Sequence, residues 1–390
     1  MRVSQGRRRP SRSRPTQAEQ DALRESVVQA LEDQGFDLAQ RTVSAPWASQ
    51  KDDLRRLHSH AVEHRRQVAR SGLKRHQDRL IRSIADGTEI SPTRISPRIV
   101  EVTSNSEEEL LFRFAAAHWS IPVSSGYGRR LRFLVLDASN RKLIGIIGLG
   151  DPVFNLAARD SWIGWSRDQR AANLHHVMEA FVVGAVPPYS RLLAGKLIAM
   201  LLASASIRRA FRRRYADREA LISERSLPGQ LALITTQSAL GRSSIYNRVR
   251  WNDRLLLHAI GFTAGYGEFH FSNGLYSALS DYAERYCEPT AKASAWGNGY
   301  RNRREVIKKA LVSIGLPTNW IHHGIRREVF AVPLAAHTRE FLRDETARPR
   351  WLDVSTAALS DYWLERWALP RLDSRGDFRT FDKHSYRLWT

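Results

Sequence analysis

The residue types that could do chemistry gather first between Asp151 and Trp165. Asp151-Pro152 directly follows an apolar run. A carboxylate at a strand end can serve as a base or a metal ligand, and it can also simply cap a turn. Further on, Arg159-Asp160 stands with Trp162 and Trp165. An ion pair walled by two indoles suits a nucleic-acid base or an adenine ring. The same four residues suit a buried pair that anchors a turn on a Trp-lined core. His175-His176 and His322-His323 are adjacent in sequence. On a helix such neighbours point about 100° apart, so they cannot easily share a metal. Either member of each pair could act as a general base, or be a core or surface histidine.

Several chemistries find no pattern. Cys287 is the only cysteine, so neither a disulfide framework nor a zinc finger is expected. No second acid stands near Asp151 at metal-binding spacing, and no metal is expected. Glu268, Asp253 and Asp281 are not clustered as a nuclease requires. Gly241-Arg-Ser243 lacks the flanks of a nucleophile elbow. Neither a P-loop nor a dinucleotide fingerprint is present, so any ATP-driven work belongs to a partner.

Charge carries more information. Against 40 acids stand 61 Lys and Arg in 390 residues, a net charge of +21. That excess attracts polyanions and releases their counterions on binding. The longest apolar stretch, Leu192 to Ala205, is broken by Gly195 and Lys196. It is too short to span a bilayer and reads as a buried helix. With no hydrophobic leader segment, a cytoplasmic protein without membrane contact is expected. Eleven Trp is a high count, and aromatics recur beside arginine, as in Trp162–Arg159, Tyr189–Arg191, Tyr246–Arg248 and Trp363–Arg366. Such pairs fit a Trp-rich core with snorkelling arginines, or base stacking beside phosphate contacts.

These residues need elements to hold them. Residues 1–15 contain six arginines and no acid and read as a disordered basic arm. Thr16 and Glu19 form a capping-box pattern, and helices follow to about residue 84, including one over Lys51–Arg70. A linker is expected over 86–102, and Ser104–His118 reads as a helix. Leu131–Leu136 and Leu143–Leu149 read as a hairpin. Strands are expected at Glu179–Val186, Leu231–Thr236 and Val329–Val332, and a short helix from Ser244. Further helices are expected over Leu192–Ala205, Arg301–Ile314, Leu334–Leu342 and Thr356–Ala368. In the Arg301–Ile314 helix, Val306, Ile307, Ala310 and Leu311 form a buried stripe, while Arg303, Arg304 and Lys308 could track a phosphate backbone. Arg326-Arg327, Arg129-Arg130 and the run Arg208–Arg214 add cations, though basic runs are often only solvated faces.

A strand ending in Pro187-Pro188-Tyr189, a loop carrying Arg191, and an immediate apolar helix resemble the central unit of the GNAT acetyltransferase fold. That resemblance implies a mixed sheet flanked by helices, with acyl-CoA phosphates held by Arg191, Gly195 and Lys196 at a helix N-terminus. It also implies Tyr246 as general acid; Asp151, from its own place at a strand end, is a second catalytic candidate. The loop departs from the family pattern, because Ala194 and Lys196 carry side chains where backbone should approach phosphate.

A longer resemblance covers Leu111 to Leu369. The segments Trp119-Ser-Ile-Pro122, Gly126–Phe133, Leu143–Phe154, Ala158–Trp165, His323–Phe330 and Asp361–Trp367 look like those of the DruA family of the Druantia anti-phage system. Membership implies DNA and a large helicase as partners, together with other subunits of the system. It implies no settled chemistry. The expected organisation is an arm at 1–15, a helical basic region at 16–100, a GNAT-like core at 101–285 and a mixed, largely helical C-terminal extension at 286–390. The functions left open are a DNA-binding component of bacterial immunity, a GNAT-type acyltransferase acting on nucleic acid or protein, and a protein-interaction scaffold. Catalytic activity and oligomeric state are not legible.

Overall fold

The computed structural model describes residues 13–45, 50–123, 128–219, 226–272, 274–289, 302–346, 348–374 and 376–390. Most of the expected basic arm, residues 1–12, lies outside them. The chain divides into two compact units that are discontinuous in sequence. One holds residues 1–64 and 264–325, the other 65–263 and 326–390. The expected boundaries at 100 and 285 do not fall there, because neither unit closes its core from one continuous stretch.

The larger unit is built on a seven-stranded sheet. Its strands are β1 (Pro97–Glu101), β2 (Arg130–Asp137), β3 (Leu143–Gly150), β4 (Val177–Ala185), β5 (Leu233–Gln237), β6 (His258–Phe262) and β7 (Glu328–Pro333). Their spatial order is β1-β2-β3-β4-β5-β7-β6. Every neighbouring pair is antiparallel except β4 and β5, which run parallel. The class is therefore α+β with a mostly antiparallel sheet. The stretch expected as a linker supplies β1. It is an edge strand that opens on Pro97, a position where a missing N–H is tolerated.

β3 is buried along its whole length, as its unbroken Leu/Ile/Gly run requires. Across from it, β4 carries one extra residue: Gly148 pairs with Val182 and Leu149 with Ala180, leaving Phe181 as a bulge. A Cβ on Gly148 would lie 2.5 Å from the Phe181 ring, so the bulge needs glycine there. The β4–β5 ladder runs only from Val177/Leu233 to Ala180/Thr236. Beyond that point β4 continues unpaired on that side.

One face of the sheet is covered by the helix Ala194–Leu201, in which all residues but Lys196 are buried. It does not continue to Ala205 as expected. Leu193 is left-handed (φ 60°) and starts the helix, while a second helix begins at Ala205. The helix Thr356–Trp363 packs beside it, and the Trp363 indole N–H donates to the Leu193 carbonyl at 3.2 Å.

The smaller unit is helical. Helices Gln17–Asp33, Leu275–Tyr286 and Arg303–Ser313 enclose a core that includes Val27, Leu31, Leu279, Ile307 and Leu311. The Thr16–Glu19 capping box is formed, and the buried stripe of the third helix is the expected one. Among the described residues, no helix is long and apolar enough to cross a membrane.

Candidate nucleic-acid interface

A concavity lies in the larger unit, beside the N-terminal turn of Ala194–Leu201. It is a cavity of about 680 Å³, within the size range of small-ligand sites. Lys196, Arg248, Arg250 and Arg366 supply four cations, Tyr362 and Trp367 two aromatic rings, and Ser244 and Asn247 polar side chains. None of the eight lining residues is acidic.

Three segments bring these residues together. Lys196 is fixed by its own helix. Its ammonium donates to the carbonyls of Ser244, Ile245 and Asn247 at 3.2–3.3 Å and sits 5.4 Å from the Trp367 ring. Burial lowers its pKa below the ordinary lysine value. The expected helix at Ser244 does not form: the segment runs as turns to a left-handed Arg248 (φ 56°), its carbonyls facing Lys196. A two-stranded ribbon, Arg250–Trp251 with Arg254–Leu255, then presents Arg250. Its guanidinium donates to the Asp253 carbonyl at 2.9 Å.

Arg366 and Trp367 come from the third segment. After Trp363 the helix widens into a π-turn over Leu364–Ala368, closed by the Leu369 N–H on the Leu364 carbonyl. Pro370 has no N–H to give the Arg366 carbonyl, so the α-helical ladder cannot run through this point. Such single widened turns re-aim side chains and recur at functional sites. The Trp367 and Tyr362 rings meet edge-to-face at 5.8 Å.

The place where a phosphate loop was expected is filled by the chain itself. The Ile245 side chain lies 3.4 Å from where a Cβ on Gly195 would be. Arg191 turns away from Lys196, donating to the Asp377 carbonyl and lying over the Phe381 ring. Tyr246 is buried, its hydroxyl donates to the Val183 carbonyl, and burial pushes its pKa up to about 12.

The other expected site residues scatter. Asp151 accepts from the Arg129 guanidinium at 2.7 Å and from its backbone N–H at 2.9 Å. Arg129 also donates to the carbonyls of His175 and Val177, so this pair ties a strand end to its neighbour. Arg159 is fully buried. It donates to the carbonyls of Val153 and Phe154 and to Asp160, beneath the Trp165 ring. The Trp165 indole donates to Asp160 as well, and Trp162 is covered by Arg339. Arg159 and Trp165 are thus turn anchors, which corrects the expectation of a base-holding site. Arg303 rests on the Tyr276 ring and donates to the Phe271 carbonyl, and Arg304 pairs with Glu268. Lys308 is exposed on the same helix. Those three belong to the smaller unit, whereas Arg130, Arg326 and Arg327 belong to the larger. Arg130 and Arg326 are exposed, and Arg326 lies over Phe262.

Arg250, Tyr362 and Trp367 escaped the sequence reading as site residues. The signal lay in the pairs Tyr246–Arg248 and Trp363–Arg366, which mark the right segments but not the right rings. Glu179 was missed altogether. It accepts from Gln237 at 2.7 Å, and burial raises its carboxyl above the usual range despite the nearby Arg159 and Arg327.

Comparison with known proteins now bears on this arrangement. The family model described as "Druantia protein DruA" matches residues 48–344. The chain belongs to the DruA family. A curated relative, "Druantia protein DruA" of Escherichia coli (strain UMEA 4076-1), is 39% identical over 368 residues, covering 94% of this chain and 89% of its own. No solved structure matches the chain. The DruA match includes the Lys196 and Ser244–Arg250 walls of the cavity and stops before the Tyr362–Trp367 wall. The E. coli relative's similarity spans nearly the whole chain.

Proposed function

We propose that this chain is a DNA-binding component of a bacterial anti-phage defence system, acting in the cytoplasm with a helicase partner on foreign DNA. The observation that carries the reading is the cavity: four cations and two aromatic rings, with no acid among the lining residues. Cations neutralise phosphates and rings accept bases, which is the composition of a nucleic-acid surface. The net charge of +21 supports the same partner class. DruA membership supports the defence context and the expectation of other system subunits. The test is fluorescence anisotropy with labelled DNA across a salt series. Binding at low salt that weakens linearly in log–log form is expected. No binding at low salt overturns the reading. Co-purification with the helicase of the same defence system tests the partnership.

A second reading, a GNAT-type acyltransferase using acyl-CoA, is favoured by the sheet. The strand order, the parallel β4–β5 junction, the Phe181 bulge and the parting of the ladder after Ala180 together support a GNAT-like core. In that reading Glu179 is the carboxyl best placed on the sheet to act as a base, with Tyr246 as acid. Against it, Ile245, Tyr246 and the Lys196 clamp occupy the ground that the cofactor would need. Acetyl-CoA should raise the Tm under this reading and leave it unchanged under the first.

A further inference from the structure

The cavity has features that a surface for duplex DNA does not need. It is lined by three separate segments, and its volume of about 680 Å³ has room for a nucleotide but not for a length of double helix. Its aromatic side is Trp367 and Tyr362, set edge-to-face at 76°. A duplex shows a protein its base edges and backbone, because the base faces are covered by their neighbours. Only an unpaired base has a free π-face to lay on an indole or phenol ring. The cations are graded in the same sense. Lys196 is consumed by three backbone carbonyls and serves as wall. Arg248 and Arg366 are exposed, on opposite walls of the cavity. Arg248 is held forward by a left-handed backbone, and Arg366 by the π-turn.

We propose that this pocket takes one unpaired nucleotide of single-stranded DNA. The base packs against Trp367 and Tyr362, and the flanking phosphates meet Arg248, Arg250 and Arg366. The proposal rests on the DNA-binding reading above and adds to it a preference for exposed single strand, the form a helicase produces.

The test uses the full chain and anisotropy at low salt, with a labelled oligo-dT and a blunt duplex of equal length. The wild type should bind the single strand more tightly than the duplex. Trp367→Ala should weaken single-strand binding on the order of tenfold and leave duplex binding unchanged, while Trp367→Phe retains most of the affinity. The exposed pair R248A/R366A, which leaves the core untouched, should lower the single-strand salt slope by roughly 0.7 per cation removed. If the wild type binds neither DNA, the DNA reading itself fails. If it binds both equally and neither variant discriminates, the DNA reading stands and the single-strand pocket is overturned. Displacement of oligo-dT by equal concentrations of deoxynucleoside monophosphate or of CoA overturns it too, and assigns the cavity to a free nucleotide.

Discussion

The Tyr246 hydroxyl donates to the Val183 carbonyl at 3.2 Å, past the point where β4 and β5 stop pairing. A side chain from the following loop thus satisfies a strand carbonyl that has lost its ladder partner. The phenol keeps its proton through the neutral range, since its pKa is pushed up to about 12. Tyr246→Phe strands that buried carbonyl. The expected cost is about 1–2 kcal/mol, read as a Tm drop of a few degrees. If phage resistance survives the substitution at permissive temperature, Tyr246 is structural. If resistance vanishes while the Tm holds, the acyltransferase reading gains.

Arg159 makes a stricter prediction. Its guanidinium is fully buried and holds two carbonyls and Asp160 at once. Arg159→Ala removes the donor to the Val153 and Phe154 carbonyls and one of several donors to Asp160, which keeps the Trp165 indole and Arg170, and should cost about 2–3 kcal/mol. Arg159→Lys should rescue little, because one ammonium cannot reproduce the fork. Chemical denaturation of both variants checks this, and a near-wild-type lysine variant would contradict it.

Asp151 and Arg129 should behave as one structural unit. A double-mutant cycle with Asp151→Asn and Arg129→Met should show a coupling energy of roughly 1–2 kcal/mol, with the double variant less damaged than the sum of the singles. Additive losses would mean that the two side chains act separately, and would reopen a catalytic role for Asp151.

Two buried histidines and the half-buried His118 should weaken the fold in acid. Burial pushes His270 and His176 down to about 4 and His118 to about 3, from an ordinary 6.5. His270 shows the cause. One ring nitrogen bonds the Trp320 carbonyl, and the other has no partner among the described residues. At neutral pH these rings are uncharged in both states. Below 6.5 the unfolded chain takes up protons while the folded chain does not, down to about pH 4. Stability is therefore complete above about 6.5 and falls as pH drops toward 4. The His270 contribution is roughly 3 kcal/mol at most. Urea melts between pH 7.5 and 4.5 should show the loss, and His270→Phe should flatten part of it. A stability curve that is flat over this range would refute the account.

The sequence alone determined the local elements and the charge excess. The Thr16 cap, the β2–β3 hairpin, the buried stripe of Arg303–Ser313 and the charge excess are short-range or additive properties, and each is present as read. The DruA family was legible for the same reason, since linear motifs survive without a fold. Only the tertiary structure decided which arginines face solvent. Arg129 looks like a surface cation in sequence, yet a carboxylate and two carbonyls distant along the chain claim it. Tertiary structure also joined Lys196, Arg248 and Trp367 in one cavity. That convergence depends on a left-handed Arg248, a π-turn ahead of Pro370 and a lysine that captures the carbonyls of a turn. The lysine clamp is a long-range contact that sequence spacing cannot show, since its hydrogen bonds gain strength where burial removes water as the alternative.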